Sequence, residues 1–180
     1  GAGVVLAVGG GVRVWRARGT GAEGDDVKKP EEKPAPLVSQ SVDVEVIGYV
    51  SGQPSRIVLR TISNGKKLRQ DAADKFNAMS QAAAAAGVQL TVNSGFRSQE
   101  EQKALHDGYM QKLPGYNLAA APGWSNHQGG ISADISTGNL GRSSPQYEWL
   151  RINARRFGFI NDVGSEAWHW TYKPTAALLA

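Results

Sequence analysis

The segment "ISADIST", residues 131–137, puts a carboxylate in the middle of an otherwise apolar strand pattern. Successive side chains of a β-strand point to opposite faces, so Ala133 and Ile135 would face one way and Asp134 the other. A buried carboxylate without partners costs several kcal/mol, which is the effective penalty for burying an ion. Any fold of this chain must therefore bring hydrogen-bonding or metal-binding partners to Asp134.

A glycine-rich turn before this strand carries one of the three histidines of the chain. Gly129 and Gly130 can adopt backbone conformations that other residues rarely reach, so the turn can direct His127 back towards Asp134. These residues alone leave two interpretations open. His127 can close a turn while Asp134 binds backbone amides, which is the commoner arrangement, or the two can form part of a metal site.

The segment "SEAWHWTY" near the C-terminus adds a second histidine and a glutamate. His169 would share a strand face with Thr171. Trp168 and Trp170 would face the other way, where we expect at least one of them to pack in the core. Two histidines and an aspartate leave a fourth position for water on tetrahedral zinc, as in catalytic rather than structural sites. Glu166, three residues before His169, is a carboxylate that can take a proton from that water.

Arg97 follows a predicted strand and precedes a predicted helix that begins with the capping pattern of Ser98 and Glu101. A guanidinium fixed on such a strand-end loop can bind an anionic oxygen through two parallel hydrogen bonds. An ordinary surface arginine is the alternative interpretation. The third histidine, His106, lies within this predicted helix, where we expect packing or solvent exposure rather than a ligand role.

The composition excludes several classes of protein. The chain of 180 residues has no cysteine, which excludes disulfides, thiol catalysis and thiolate metal ligands. A hydrophobic content of 41% is enough for a core and too low for a membrane bundle. The net charge of +4 suits a polyanionic neighbour such as a bacterial wall, although ordinary surface lysines and arginines explain it more simply. The sequence has neither the clustered basic stripe nor the motif that nucleic-acid binding would require.

Residues 1–37 are predicted to be a leader followed by a disordered linker, and residues 38–180 a folded domain with its core in residues 57–172. The linker, residues 19–36, is charged and rich in Gly and Pro, so it cannot bury enough apolar surface to fold. The apolar run before Arg13 is shorter than the stretch of about 20 residues that spans a bilayer. It is either the end of a signal or anchor segment that begins upstream, or a flexible leader.

Hydrophobic periodicity predicts an α+β domain. Apolar and polar residues alternate in the segments that we expect to be strands: residues 42–50 and 56–62, which would form a hairpin, and residues 88–96, 131–137 and 166–172. Helical spacing occurs in three segments: residues 66–87, 98–112 and 144–158. In the last of these helices we expect Trp149, Ile152 and Phe157 to form the apolar stripe.

Four segments in this order resemble the VanY-type D-alanyl-D-alanine carboxypeptidases, which belong to the LAS group of zinc peptidases (peptidase family M15): "SGFRSQEEQ", "PGWSNHQGGISADI", "WLRINARRFGFI" and "SEAWHWTY". The family pattern is Ser-x-His-x-x-Gly-x-Ala-x-Asp, followed later by Glu-x-x-His or Glu-x-Trp-His. The chain matches it with Ser125, His127, Gly130 and Asp134, and then with Glu166, Trp168 and His169. One departure is Ser132 in place of the usual Ala, and we expect this hydroxyl to bond to the Asp134 carboxylate.

The resemblance, which extends over residues 57–172, implies a fold, a cofactor and a site. The fold would be a small antiparallel sheet flanked by helices, with a zinc cleft at the sheet, as in the LAS and Hedgehog-like peptidases. The cofactor would be one Zn²⁺ ion. The implied site residues are the zinc ligands His127, Asp134 and His169, the general base Glu166, the carbonyl-polarising Arg97, and the substrate-binding Gln102, Ser125 and Trp168.

The implied function is hydrolysis of peptidoglycan stem peptides by a D-Ala-D-Ala carboxypeptidase. One alternative is L,D-carboxypeptidase or endopeptidase activity on the same wall peptides, and another is a non-catalytic zinc-containing module that binds the wall or a protein. We expect the loop of residues 112–124 to set the depth of the substrate pocket. We also expect a monomer in the cell envelope, whether periplasmic, wall-associated or secreted, and a membrane anchor upstream of residue 1 is compatible with the apolar N-terminal run.

Overall fold

Two antiparallel β-sheets form the framework of residues 43–175, the part of the chain that the computed structural model describes. The predicted leader and linker, residues 1–37, lie outside the described residues. The first sheet has the order β1-β2-β3, with β1 at Val44–Val50, β2 at Gln53–Thr61 and β3 at Lys67–Arg69. The second sheet has the order β4-β5-β7-β6, with β4 at Val92–Ser94, β5 at Ser132–Ile135, β6 at Phe159–Ile160 and β7 at His169–Tyr172.

Three α-helices accompany these sheets in the described residues: α1 at Gln70–Ala85, α2 at Gln99–Met110 and α3 at Pro145–Asn153. The predicted α+β class with an antiparallel sheet and helices is confirmed, although the strands form two sheets rather than one. Within residues 43–175, no helix combines the length and the apolar character that a bilayer crossing requires.

The apolar faces of α1 and of the second sheet form the core. Phe76 of α1 packs edge-on against Phe159 of β6, with ring centroids 6.0 Å apart. Ala133 and Ile135 of β5 are buried in the same cluster, as strand alternation predicts. The other face of β5, which carries Asp134, is thereby left for the polar side chains of the site.

The start of α1 differs from the prediction. The helix begins at Gln70 rather than at residue 66. Residues 67–69 form β3 instead, because Leu68 pairs with Arg60 of β2 and its side chain is buried. Pairing with a neighbouring strand overrides the helical spacing that Leu68 shares with the residues of α1.

The apolar stripe predicted for α3 is wrong at Ile152, whose side chain is 65% exposed. Tyr147, Leu150 and Ala154 are buried instead, and their spacing is also helical. The reason is tertiary: the Tyr147 ring packs against Trp170 of β7, with ring centroids 6.0 Å apart. Contact with the sheet therefore selects the buried side of α3, and the hydrophobicity of single residues does not.

The predicted hairpin of β1 and β2 is confirmed by their antiparallel pairing around a two-residue turn. Ser51 and Gly52 in this turn have φ angles of 50° and 80°. Positive φ at both central residues is the turn geometry that fits the twist of hairpin strands. The turn also contacts the loop of the site, because Gly52 donates its backbone N–H to Gly123 O at 2.9 Å.

The first sheet positions the glycine-rich turn that precedes β5. Tyr49 of β1 donates its backbone N–H to Gln128 O at 2.9 Å, and Arg69 of β3 donates to Gly130 O at 2.8 Å. Gly130 has a φ of +68°, and a Cβ there would lie 2.9 Å from the Arg69 nitrogen. Glycine is therefore required at this position both for the backbone conformation and for the close approach of β3.

We expect Gly130→Ala to destabilise the fold more than Gly138→Ala. Gly138 has a φ of +55° with open space around an added Cβ, so its replacement should cost only the conformational strain, about 1–2 kcal/mol. Gly130→Ala adds a clash with β3, and overpacking of this kind typically costs about 1–3 kcal/mol more. The free energy of unfolding from urea denaturation measures both effects. Equal losses in the two variants would contradict the steric argument.

Candidate active site

A cleft of about 590 Å³ opens at the polar face of the second sheet. All of the residues that the sequence predicts for the site line this cleft: Arg97, Gln102, Ser125, His127, Asp134, Glu166, Trp168 and His169. Further lining comes from Tyr116, Leu118 and Ala119 in the loop that follows α2. This loop lies within residues 112–124, the segment predicted to shape the substrate pocket.

Asp134 and His169 face each other across neighbouring strands. They are register partners in the antiparallel pair of β5 and β7, and His169 Nδ1 lies 3.0 Å from Asp134 Oδ1. Directly opposite residues of an antiparallel pair have Cβ atoms about 4.5–5.5 Å apart, which is close enough for this contact. Strand pairing therefore joins two residues that are 35 positions apart in the chain.

His127 reaches the same carboxylate from the glycine-rich turn. Its Nε2 lies 3.3 Å from Asp134 Oδ1, while its Nδ1 lies 2.8 Å from Gly95 O. A carbonyl oxygen only accepts hydrogen bonds, so Nδ1 carries a proton and Nε2 is the nitrogen left for a metal. His127 and His169 are both buried, and their ring centroids are 5.1 Å apart.

These three side chains form a group that could hold a metal ion. Each offers one ligand atom, and the ligand atoms of His127, Asp134 and His169 lie within 4.8 Å of one another. Two imidazole nitrogens and a carboxylate oxygen suit zinc and leave a fourth tetrahedral position open. His127 Nε2 and His169 Nδ1 both point at Asp134 Oδ1. Lone pairs on these three atoms would repel one another unless protons or a cation lay between them, so the donor set fits a metal.

The histidines also control the charge of Asp134. Burial alone would raise the pKa of this carboxyl group, but hydrogen bonds and charge interactions with His127 and His169 hold the pKa well below its usual range. Asp134 is therefore ionised, as a carboxylate ligand of a metal must be.

Glu166 lies beside this group rather than within it. Its Oε2 is 3.8 Å from His169 Nδ1, and its side chain is 32% exposed. The turn before β7 fixes the backbone, because Glu166 donates its N–H to Val163 O at 2.9 Å and Asn161 Nδ2 donates to Glu166 O at 2.6 Å. The Glu166 carboxylate is thus close to the donor group and accessible to solvent at the same time.

Arg97 is fixed in the cleft wall by two side chains. Its Nη1 donates to Gln102 Oε1 at 2.8 Å, and its Nη2 donates to Ser94 Oγ at 3.1 Å. Burial lowers the pKa of Arg97, while the negative charges of Asp134 and Glu166 act in the opposite direction. An arginine side chain stays charged in proteins and has five N–H donors, so Arg97 keeps further donors for a ligand.

Gln102 connects Arg97 to the cleft loop. Its Oε1 accepts from Arg97, and its Nε2 donates to Ala120 O at 2.6 Å. The side chain is fully buried, so these contacts fix it firmly. Gln102 lies at the cleft, as predicted. Its contact with a substrate stays a prediction.

Ser125 and Trp168, which were also predicted to bind substrate, lie at the cleft in different surroundings. Ser125 Oγ accepts the backbone N–H of His127 at 3.3 Å. Trp168 is 42% exposed, whereas Trp170 is buried and packs against Tyr147. The expectation that one tryptophan packs in the core is confirmed by Trp170. Substrate contacts of Ser125 and Trp168 stay predictions.

Ser132 bonds to Thr171 rather than to Asp134, so the prediction for this hydroxyl is wrong. Ser132 Oγ lies 2.8 Å from Thr171 Oγ1, and the two residues are register partners of β5 and β7. Residues two apart on one strand are separated by about 6.5–7 Å, whereas opposite residues on neighbouring strands are closer. The cross-strand partner therefore takes the hydrogen bond.

Thr171 and Asp162 adjoin the donor group, although neither was predicted as a site residue. Thr171 Oγ1 lies 3.2 Å from His169 Nε2 and donates to Asp162 Oδ1 at 2.8 Å. Strand alternation, which places Thr171 on the same face as His169, could have identified the threonine. Asp162 lies in the loop after β6, where no sequence pattern distinguishes it.

Helix α2 holds the cleft loop in place. His106, which was expected to have no ligand role, donates from Nδ1 to Ala119 O at 3.1 Å. The Tyr116 ring packs directly on Gly108, where an added Cβ would lie 2.2 Å from a ring carbon. The position of Tyr116 at the cleft therefore depends on the absence of a side chain at Gly108.

A family model described as VanY, D-alanyl-D-alanine carboxypeptidase, matches residues 65–175. The chain therefore belongs to the VanY family of D-alanyl-D-alanine carboxypeptidases, and the resemblance noted in the sequence is confirmed. A D-alanyl-D-alanine carboxypeptidase of Enterococcus faecalis is 31% identical over 139 residues, which are 64% of this chain and 52% of that protein. The chain spans about half the length of the curated relatives it matches.

Two solved structures of VanY proteins share this fold. One is VanYB in complex with D-alanine-D-alanine, and the other is a mutant of the vancomycin resistance D,D-pentapeptidase VanY in complex with Zn(II). Each is 28% identical to this chain with a TM-score of 0.57, and each comparison covers 74% of this chain and 88% or 90% of the solved one. The Zn(II) of the second structure and the donor set of this chain both agree with the expected zinc cofactor.

We expect Gly108→Ala to impair the cleft without destabilising α2. Alanine favours a helix over glycine by about 1 kcal/mol, but its Cβ must displace Tyr116. Because a misplacement of about 1 Å in an active site can cost 10²-fold in rate, the kcat/KM of any reaction catalysed in the cleft should fall on the order of 10-fold or more. Steady-state kinetics and the free energy of unfolding separate the two effects.

A double variant provides the control for Gly108→Ala. Tyr116→Ala removes the ring that the new Cβ would displace, so adding Gly108→Ala to it should cause little further loss of activity. Additive losses in the double variant would show that Gly108 acts through another contact.

Proposed function

We propose that this protein is a zinc-dependent peptidase that removes the terminal D-alanine of peptidoglycan stem peptides. The observation that carries the proposal is the arrangement of one cleft, in which Glu166 and Arg97 adjoin the donor group of His127, Asp134 and His169. A site that only bound a peptide would not need a separate carboxylate beside the donors and a buried guanidinium in the same wall. Membership of the VanY family supports the same reaction.

His127, Asp134 and His169 would hold the zinc ion. His127 would use Nε2, since Gly95 O occupies its Nδ1, and His169 would use Nδ1, which faces Asp134. Zinc, when bound, supplies Lewis acidity, which lowers the pKa of water to about 7 and polarises a carbonyl group.

Glu166 would be the general base. Its carboxylate lies 3.8 Å from His169 Nδ1, close to the donor group but outside it. From this place it can take a proton from the attacking water and give it to the leaving amine, the two transfers that peptide hydrolysis requires. Proton transfer by a positioned side chain typically contributes about 10²–10⁴-fold to the rate.

Arg97 would stabilise the negative charge that develops on the carbonyl oxygen. Gln102 and Ser94 hold its guanidinium before a substrate arrives, so no reorganisation is needed during the reaction. A preorganised donor of this kind is worth roughly 3–4 kcal/mol in the transition state. Partial burial of Arg97 strengthens the interaction, because the cleft wall screens charge less than water does.

The substrate proposal rests on the cleft and on the solved relative with D-alanine-D-alanine. Gln102, Ser125 and Trp168 would contact the peptide, since all three line the cleft. Cleavage of stem peptides would place the protein in the cell envelope, where peptidoglycan is found.

Product analysis with defined stem peptides tests the proposed function. The purified protein should release one D-alanine from a pentapeptide that ends in D-Ala-D-Ala, as measured by mass spectrometry. Removal of zinc with a chelator should abolish the release, and added Zn²⁺ should restore it. Cleavage of a tetrapeptide instead would establish L,D-carboxypeptidase activity, and binding of peptide without products would establish the non-catalytic alternative.

We expect Glu166→Gln to retain zinc and to lose hydrolysis. The amide cannot accept a proton from water, so kcat should fall by about 10²–10⁴-fold. Zinc content, measured by mass spectrometry of the metal, should equal that of the unmodified protein because Glu166 lies outside the donor group. Glu148→Gln is the matched control, since this exposed residue of α3 pairs with Arg151 and does not line the cleft. Full activity of Glu166→Gln would exclude Glu166 as the base.

A further inference from the structure

We propose that Thr171 and Asp162 are positioning residues that hold the His169 imidazole with Nε2 as a hydrogen-bond donor, so that Nδ1 is left to bind the metal. The inference rests on the zinc site proposed above and assigns two residues to it. Neither residue would touch the metal or the substrate. They would act on the metal site only by orienting the imidazole ring of His169.

The hydroxyl group of Thr171 has three polar neighbours. Asp162 Oδ1 and Ser132 Oγ are each 2.8 Å from Thr171 Oγ1, and His169 Nε2 is 3.2 Å from it. A hydroxyl group donates one hydrogen bond and accepts two. The three contacts therefore use the full capacity of Thr171, and only one of them can receive its proton.

Asp162 receives that proton. An ionised carboxylate only accepts hydrogen bonds, so the contact between Thr171 Oγ1 and Asp162 Oδ1 has a single possible direction. The other oxygen, Oδ2, lies 3.1 Å from Lys173 Nζ, so the carboxylate also forms an ion pair. The side chain of Asp162 is 16% exposed, so this arrangement is largely shielded from solvent.

The direction at Asp162 fixes the direction at His169. Since the Thr171 proton points to Asp162, the hydroxyl oxygen can only accept from His169, and Nε2 must carry a proton. In the neutral imidazole the other nitrogen, Nδ1, then has the lone pair. Nδ1 is the atom that lies 3.0 Å from Asp134 Oδ1, within the donor group.

The other histidine of the donor group, His127, is also held by a hydrogen bond from one ring nitrogen, but the roles of its two nitrogens are exchanged. Gly95 O accepts from Nδ1 of His127 and leaves Nε2 for the metal. Thr171 accepts from Nε2 of His169 and leaves Nδ1. Partners of this kind orient metal-binding histidines, and their removal typically costs about 10–100-fold in metal affinity. The difference is that a backbone carbonyl holds His127, whereas replaceable side chains hold His169.

The test is the zinc affinity of variants, measured by competition with a chromophoric chelator. Thr171→Val keeps the shape of the side chain and removes the hydroxyl group. Asp162 Oδ1 lies 3.7 Å from His169 Nε2 and can accept from it directly after a small shift, so the decisive variant combines Thr171→Val with Asp162→Ala. We expect this double variant to bind zinc about 10–100-fold more weakly.

Two control variants separate positioning from a general effect on folding. Thr171→Ser keeps the hydroxyl group and should bind zinc within about threefold of the unmodified protein, a margin well below the 10-fold expected from loss of the partner. Ser132→Ala removes the third neighbour of Thr171 without altering the bond to His169, so affinity should also be retained. Thermal unfolding of the zinc-free proteins shows whether each variant is folded.

The outcomes distinguish this inference from the proposed function. A folded Thr171→Val/Asp162→Ala protein that binds zinc as tightly as the unmodified protein would overturn the inference and leave the function standing. Loss of affinity in Thr171→Ser equal to that of the double variant would also overturn it, because packing rather than the hydroxyl group would then be responsible. If the unmodified protein binds no zinc, the proposed function is overturned, and the inference that rests on it is overturned as well.

Discussion

The antiparallel pairing of β5 with β7 is the constraint on which the site depends. It puts Asp134 opposite His169 on one face of the second sheet and Ala133 opposite Trp170 on the other. A shift of one residue would turn the carboxylate into the core and apolar side chains into the cleft. Burial of Ala133 and Trp170 therefore fixes the register that assembles the donor group.

Backbone hydrogen bonds attach the other parts of the site to this pair of strands. Arg97 donates its N–H to His127 O at 3.1 Å, and β3 binds the same turn through Gly130 O. A cluster of buried polar groups is stable only when each has a partner. Among the side chains that the structure describes, Ser63 Oγ is the single buried nitrogen or oxygen without a hydrogen-bond partner, and Ser63 does not line the cleft.

Strand alternation was a reliable guide to this protein, because a strand has only two faces and the core occupies one of them. It predicted the burial of Ala133 and Ile135 and the opposite orientation of Asp134. Helical spacing was less reliable, since several sets of apolar residues satisfy it at once. In α3 the spacing did not distinguish Ile152 from Leu150, and only the sheet beneath the helix makes the choice.

The sequence by itself determined which residues are proposed to carry the chemistry, because His127, Asp134, Glu166 and His169 occur in two short segments with a family spacing. It also determined the strand faces of Asp134 and His169, the two of these residues that lie on strands. Only the tertiary structure decided their partners. Ser132 and Thr171 are 39 positions apart in the chain, and Asp162 reaches Thr171 from a loop nine positions before it. Neither contact follows from the spacing of residues within one strand. Hydrogen bonds act over about 3 Å, so the choice of partner follows from strand register and loop position rather than from residue type.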